Sequence, residues 1–128
     1  MIGFDNIEPP KYEQILTCVH CGFCLSNCPT YRVLVTEPDS PRGRIYLMKM
    51  VAEGRIGLER DVVRHLYRCV LCRGCEEACP SGVRFGALME RTRGQVERKY
   101  SWPLRERILK VAILSMLPSP RRLAWTLK

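Results

Sequence analysis

Eight cysteines carry the chemistry this sequence could do, and all of them lie in two short runs. The first is CVHCGFCLSNCP at 18–29 and the second is CVLCRGCEEACP at 69–80. Cys18, Cys21, Cys24 and Cys28 stand at intervals of three, three and four. Cys69, Cys72, Cys75 and Cys79 repeat those intervals, and each run closes in Cys-Pro. Little else is shared between the runs. Thiolates are soft ligands suited to zinc or to iron–sulfur clusters. Two C-x2-C pairs could make a tetrahedral zinc site, but zinc leaves the third cysteine of each run and the Cys-Pro ending without a role. Disulfide frameworks scatter cysteines among loops rather than packing four of them so closely.

The spacing C-x2-C-x2-C-x3-C-P matches the iron–sulfur signature of bacterial ferredoxins, in which the fourth cysteine ligates the other of two clusters. Three cysteines at successive intervals of three let one tight loop wrap a 4Fe–4S cubane. The proline then turns the chain away. Matched this way, one cluster takes Cys18, Cys21, Cys24 and Cys79, and the other takes Cys69, Cys72, Cys75 and Cys28. Each run needs the other to complete its cluster, so the spacing recurs while the intervening side chains drift. Gly22 and Gly74, just before the third cysteine of each run, suit a crowded turn or are ordinary turn glycines. Zinc and disulfides stand as the alternatives.

Around these runs the sequence punctuates a helical chain. KYEQILT leads helically into the first run. Tyr31 to Val35 alternates like a strand, and a turn follows at Glu37 to Pro41. Ser40 as N-cap and Pro41 at the first helical position open a helix that Gly54 closes, with Ile45, Met48 and Val51 on one face. A second helix over about Leu58 to Tyr67 stripes Leu58, Val62 and Leu66, with Arg60 and Arg64 opposite. VRFGALMERTRGQVERKY supports another, with Phe85, Leu88, Met89, Thr92 and Val96 on its apolar side. Its other side, with Arg91, Arg93, Glu97 and Arg98, reads as solvated. WPLRERILKVAILSMLP makes a further helix from Pro103 to Pro118, and Ser119–Pro120 begins one more near the chain's end, which reads as cut short. Forty residues, mostly helical, separate Cys28 from Cys69, far more chain than a strand-rich ferredoxin needs. The expected class is all-α: a two-cluster domain at 1–100 and a C-terminal helical extension at 101–128.

At CVHCGFCLSNCPTY, SPRGRIYLMKM and CVLCRGCEEACPSGV the chain resembles the cluster-binding N-terminal part of glycolate oxidase iron–sulfur subunits. It is similar too to lactate-utilisation iron–sulfur proteins. More distant is its likeness to the C subunits of heterodisulfide reductase and anaerobic glycerol-3-phosphate dehydrogenase. The likeness covers about residues 12–100. It implies an α-helical ferredoxin fold with two 4Fe–4S clusters on the eight cysteines. It also implies a relay of electrons from a flavin-containing 2-hydroxy-acid dehydrogenase subunit to a membrane, quinone-linked or soluble acceptor. Family members usually continue into a cysteine-rich C-terminal region that does not follow Lys128 here.

Competing classes are weighed by charge. The 128-residue chain carries a formal +8. Two clusters with four thiolates each bring about −4, so the loaded protein sits nearer +4 and much of the arginine offsets cluster charge. The arginines are dispersed without interleaved aromatics, which argues against nucleic acid. A free-standing ferredoxin shuttle is usually small and acidic, unlike this chain. No phosphate loop or hydrolase constellation is present, so the chain reads as an electron-transfer subunit and not the substrate-converting one. His20 could tune a cluster or be a plain loop residue, His65 reads as solvated, and Met48, Met50 and Met89 read as core. Tyr31, Trp102 and Trp125 are electron-path candidates, and 111–117 (VAILSML) is the candidate docking face. Without a signal segment or a span of about 20 apolar residues, the expected location is the cytoplasm, with any membrane contact peripheral, at the inner face.

Overall fold

Ser40 and Pro41 open the helix around which the rest is arranged. In this computed structural model, which describes residues 3–116, α1 is Tyr12–Leu16, α2 is Pro29–Leu34 and α3 is Pro41–Ala52, with a 3-10 turn at Glu37–Asp39. They are followed by α4 (Arg60–Tyr67), α5 (Gly74–Glu77), α6 (Phe85–Lys99) and α7 (Leu104–Met116). Among the described residues there is no strand, so the all-α expectation holds. The second Ser-Pro start at 119–120, Leu117 and Trp125 lie outside the described residues.

At the head of α3 the Ser40 hydroxyl accepts the Gly43 N–H at 2.9 Å, satisfying one of the orphan donors of the first turn. Gly54 ends the helix with φ +69°, a left-handed geometry that glycine adopts without cost. Exchanging Ser40 for alanine is expected to cost about 1 kcal/mol, read as a lowered midpoint in thermal unfolding of the cluster-loaded chain.

α3, α4 and α6 pack their apolar stripes together. Met48, Leu66, Leu88, Met89 and Val96 are inaccessible, joined by Ile45, Val63 and Phe85 and by Ile15 from α1. The stripes recur at three and four residues, as a helix face requires. Met50 is half-buried beside them. Arg60 and Arg64 lie exposed on the opposite side of α4.

Tyr31 to Val35 is not extended. Arg32 N–H reaches Cys28 O at 3.0 Å and Val35 N–H reaches Tyr31 O at 2.8 Å, closing α2, and Val35 itself turns left-handed at φ 51°. Pro29 at N1 pre-sets the helical φ, and no neighbouring strand offers a ladder. α2 buries no residue and Val33 is 80% exposed, so the alternation recorded no half-buried surface.

The polar side of α6 is likewise not simply solvated. It fastens the lead-in to the domain. Asp5 accepts from Arg98 Nε at 3.2 Å, Arg91 reaches Pro9 O at 3.5 Å, and Lys99 reaches Gly3 O at 2.5 Å. Gln95, wholly buried, donates to Asp5 Oδ1 at 2.8 Å and Ile7 O at 2.9 Å and accepts the Asp5 N–H at 2.8 Å. The Arg98 hydrogen bond chiefly holds the Asp5 carboxyl down at about 2. Partners some ninety residues away leave no trace in a helical period.

α7 meets the rest through Lys110, whose Nζ lies 2.5 Å from Glu97 Oε2 and 4.4 Å from the Trp102 ring centroid. Trp102 packs edge-on against Tyr67 and Tyr100. Leu104, Ile108, Leu109, Val111, Ile113 and Leu114 are exposed.

Candidate metal centres

Both cysteine runs use one backbone device. In the first, His20 (φ 56°) and Gly22 (φ 89°) are left-handed on either side of Cys21. In the second, Leu71 (φ 55°) and Arg73 (φ 59°) flank Cys72 in the same way. The repeat that spacing announced is thus a repeat of chain path. A left-handed non-glycine residue costs about 1 kcal/mol or more, so three of these four residues are held there by their surroundings. By position the equivalent of Gly22 is Arg73. Gly74 instead starts α5, and a Cβ there would stand 3.2 Å from Asn27 O in the first run. Its role is close approach between the runs, not turn geometry.

All eight cysteines are free thiols. They ring two neighbouring cavities. One, open to the surface, is lined by Cys18, Cys21, Cys24 and Cys79, with His20, Ile45 and Val83 among its walls. The other is lined by Cys28, Cys69, Cys72 and Cys75, with Arg44 at its wall. Cys75, Pro41 and Phe85 line both. The first cavity thus gathers three thiols of the first run with Cys75 and Cys79 of the second, and the second cavity gathers three thiols of the second run with Cys28 of the first. Cys21 and Cys72 are exposed, while Cys28 and Cys75 are buried. Among the described residues no three His, Cys, Asp or Glu side chains converge tightly enough to hold a single ion. The thiols surround a space rather than a point.

Burial pushes the Cys18 and Cys24 thiols up. Burial first, then the negative charge of neighbouring cysteines, pushes the Cys75 thiol up to about 12. A metal centre taken up here must displace those protons, and the positive charge of the metal is what makes buried thiolates tolerable.

A polar network buttresses the second cavity, and the sequence reading missed it. Asp39, fully buried, accepts from Thr36 Oγ1 at 2.7 Å and Arg68 Nη1 at 3.1 Å, with Arg44 Nη2 at 3.5 Å. His65 is not solvated: its Nδ1 lies 3.0 Å from Asp39 Oδ1. Burial raises the Asp39 carboxyl, but hydrogen bonds from His65 and Thr36 and the charges of His65 and Arg68 outweigh it and hold it below the usual carboxylate value. Facing an ionised carboxylate, Nδ1 is the donor. Arg44 is inaccessible as well. A charge at position 44, four residues before Met48 on the buried stripe, was the signal available.

On the first cavity, Arg42 clamps Glu37 at 2.6 and 3.1 Å and donates to His20 O at 3.3 Å. The Arg42 clamp holds the Glu37 carboxyl below its usual value. His20 is exposed and lines the cavity. Neither Tyr31 nor Trp102 lines either cavity.

Arg93, expected in solvent, is partly buried. Its Nη2 donates to the carbonyls of Leu66, Tyr67 and Cys69 at 3.1, 3.3 and 2.5 Å, and its guanidinium lies over the Tyr67 ring. It closes the end of α4 where the second run begins. Arg93→Lys cannot reproduce that planar contact and is expected to cost about 1–2 kcal/mol. Thermal unfolding of the iron-loaded variant measures it.

Residues 14–83, which include every cysteine, match the 4Fe–4S dicluster domain model. The chain belongs to the 4Fe–4S dicluster domain family. Its cofactors are 4Fe–4S clusters, and the donor set of two adjoining thiol-lined cavities fits them. The dicluster chain is 50% identical to the glycolate oxidase iron–sulfur subunit of Escherichia coli over 91% of its length and 28% of that subunit's. It is 45% identical to the probable glycolate oxidase iron–sulfur subunit of Bacillus subtilis, over 86% of this chain and 25% of that one. Lactate utilization protein B of Bacillus cytotoxicus is 29% identical over 83% of this chain and 22% of that protein. The chain spans about a quarter of the length of these relatives. The expected resemblance to glycolate oxidase iron–sulfur subunits is borne out. No solved structure matches the chain. Among the described residues no helix is long and apolar enough to cross a membrane.

Proposed function

We propose that this chain is the cluster-carrying part of an electron-transfer subunit, relaying electrons from a flavin-containing 2-hydroxy-acid dehydrogenase subunit to a further acceptor. The carrying observation is the pair of adjoining cavities, each ringed by thiols of both runs and sharing Cys75, Pro41 and Phe85. In this reading Cys18, Cys21, Cys24 and Cys79 hold the first cluster, and Cys69, Cys72, Cys75 and Cys28 the second. Neighbouring clusters supply one-electron steps that a flavin reduced by two electrons can feed singly. The chain's own residues shape the two sites, exclude water with Ile45, Val83 and Phe85, and place arginines against the negative charge of the thiolates. Oxidation of the hydroxy acid belongs to the partner subunit. The 50% identity to a glycolate oxidase subunit, against 29% to a lactate-utilisation protein, favours glycolate as that partner's substrate. The relay works in the cytoplasm, with contact to the inner face of the membrane made through partners.

The test is anaerobic mixing of the iron-loaded protein with the flavin dehydrogenase subunit and glycolate. Bleaching of the cluster absorbance and a reduced-cluster EPR signal are expected, with lactate slower. Clusters that dithionite reduces but the flavin subunit with glycolate or lactate does not would overturn the relay. Zinc in place of iron would overturn the whole reading.

A further inference from the structure

Two arginines stand beside the two sets of thiols, and they differ in burial. Arg42, at the first cavity, is part-exposed and clamped in bidentate fashion by Glu37, its charge also reaching Cys18 and Cys24. Arg44, at the second, is inaccessible, and its Nη1 lies 3.9 Å from Cys28 Sγ and 3.1 Å from Thr30 Oγ1. Its Nε is committed to His65 O at 2.8 Å, and its Nη2 is buried with no hydrogen-bond partner. Asp39 does not neutralise it alone, because that carboxylate is shared with Arg68 and His65. The Thr30 hydroxyl stands 3.2 Å from the same sulfur. Cys28 Sγ therefore faces one inaccessible guanidinium N–H at 3.9 Å, with the Asp39 carbonyl also 3.9 Å away and holding the Thr30 hydroxyl proton at 3.0 Å, while the described contact at Cys79 Sγ is a single backbone N–H, from Val83 at 3.4 Å, with no guanidinium beside it.

We propose that Arg44 is a positioning residue that raises the reduction potential of the cluster held by Cys28, Cys69, Cys72 and Cys75 above that of its neighbour. The inference rests on the ligand sets given under Proposed function. One electron takes a cluster from a 2+ to a 1+ core, adding negative charge that spreads onto the sulfurs. A buried cation and hydrogen bonds at a ligand sulfur stabilise that added charge, and they act most strongly where solvent does not screen them. The Cys28 centre becomes the site where an electron rests, giving the relay a direction from the first cluster to the second.

EPR-monitored redox titration of the iron-loaded chain tests this. Arg44→Gln is expected to make the Cys28 cluster harder to reduce by at least tenfold in the reduced-to-oxidised ratio, about 59 mV for one electron. The other cluster should stay within threefold of the wild type. Arg44→Lys, which keeps the charge, should recover most of the shift, and Arg42→Gln should move neither cluster comparably. Arg44→Gln protein with its full iron and both potentials unchanged, or with both shifted equally, would overturn the proposal while leaving the relay intact. If Arg44→Gln loses iron, the comparison of Cys79→Ser with Cys28→Ser decides with Arg44 in place. The cluster surviving in Cys79→Ser should then be the more easily reduced, and equal or reversed order overturns the proposal. Absence of any cluster in the wild-type chain would instead sink the reading on which it rests.

Discussion

Replacing Cys28 with serine is expected to destroy the cluster of the second run, not that of its own. Reconstituted wild-type chain should bind about eight irons, four per cluster, and Cys28→Ser about half of that. Cys79→Ser should do the same to the first cluster. The double exchanges decide the pairing. Cys28→Ser with Cys69→Ser removes two ligands of one cluster under the crossed arrangement, so iron should stay near half and one reduced-cluster signal should persist. Cys28→Ser with Cys18→Ser strikes both and should leave almost no iron. Ligation within each run predicts the opposite order. The physical basis is the placing of Cys28 at the cavity of Cys69, Cys72 and Cys75, and of Cys79 at that of Cys18, Cys21 and Cys24. Residues acting on one centre are non-additive while those on separate centres add.

Gly43→Ala is the largest single-residue loss of stability expected outside the cysteines. A Cβ at Gly43 would sit inside the Glu37 carbonyl, 2.7 Å from its carbon and 3.0 Å from Ser40 Oγ. The obstacle is backbone, and it cannot give way easily: Ser40 N–H bonds that same carbonyl at 3.0 Å, and Asp39 is fixed by Thr36, His65 and Arg68. The head of α3 would have to shift, carrying Arg42 and Arg44 away from the two cavities. A cost of about 3 kcal/mol or more is expected, with iron lost at lower temperature. Gly94→Ala is the control. Its Cβ would meet only the far end of the Arg98 side chain at 3.7 Å, so the helix propensity of alanine should dominate and stability should rise by about 0.5–1 kcal/mol. Thermal melts of both variants with clusters loaded separate the two effects, and equal melting points for them would refute the packing argument.

Much of the architecture was legible because it is local. Ser40, Pro41 and Gly54 bounded α3, and the stripes through Met48, Leu66 and Leu88 named the core, since capping and helical period depend on residues within a turn or two. The alternation at Tyr31 to Val35 misled because five residues cannot separate a strand from a proline-started helix with nothing buried. Arg93 and His65 misled because a polar helix face says nothing of what lies across from it.

The sequence by itself determined the chemistry of this protein: eight thiols at ligand spacing, repeated, on a helical chain, because ligand type and interval are set by the cluster and not by the rest of the fold. The spacing also gave the expected sharing of those thiols between runs, and the tertiary structure alone decided what surrounds them. It set Cys28 and Cys79 at the cavities of the opposite runs, placed left-handed residues on both sides of Cys21 and Cys72, and buried Arg44 at the wall of one cavity only, with Asp39 behind it. The reason is range. Spacing acts through a few bonds, whereas the field at Cys28 comes from residues 11 to 40 positions away, and only packing determines their distance.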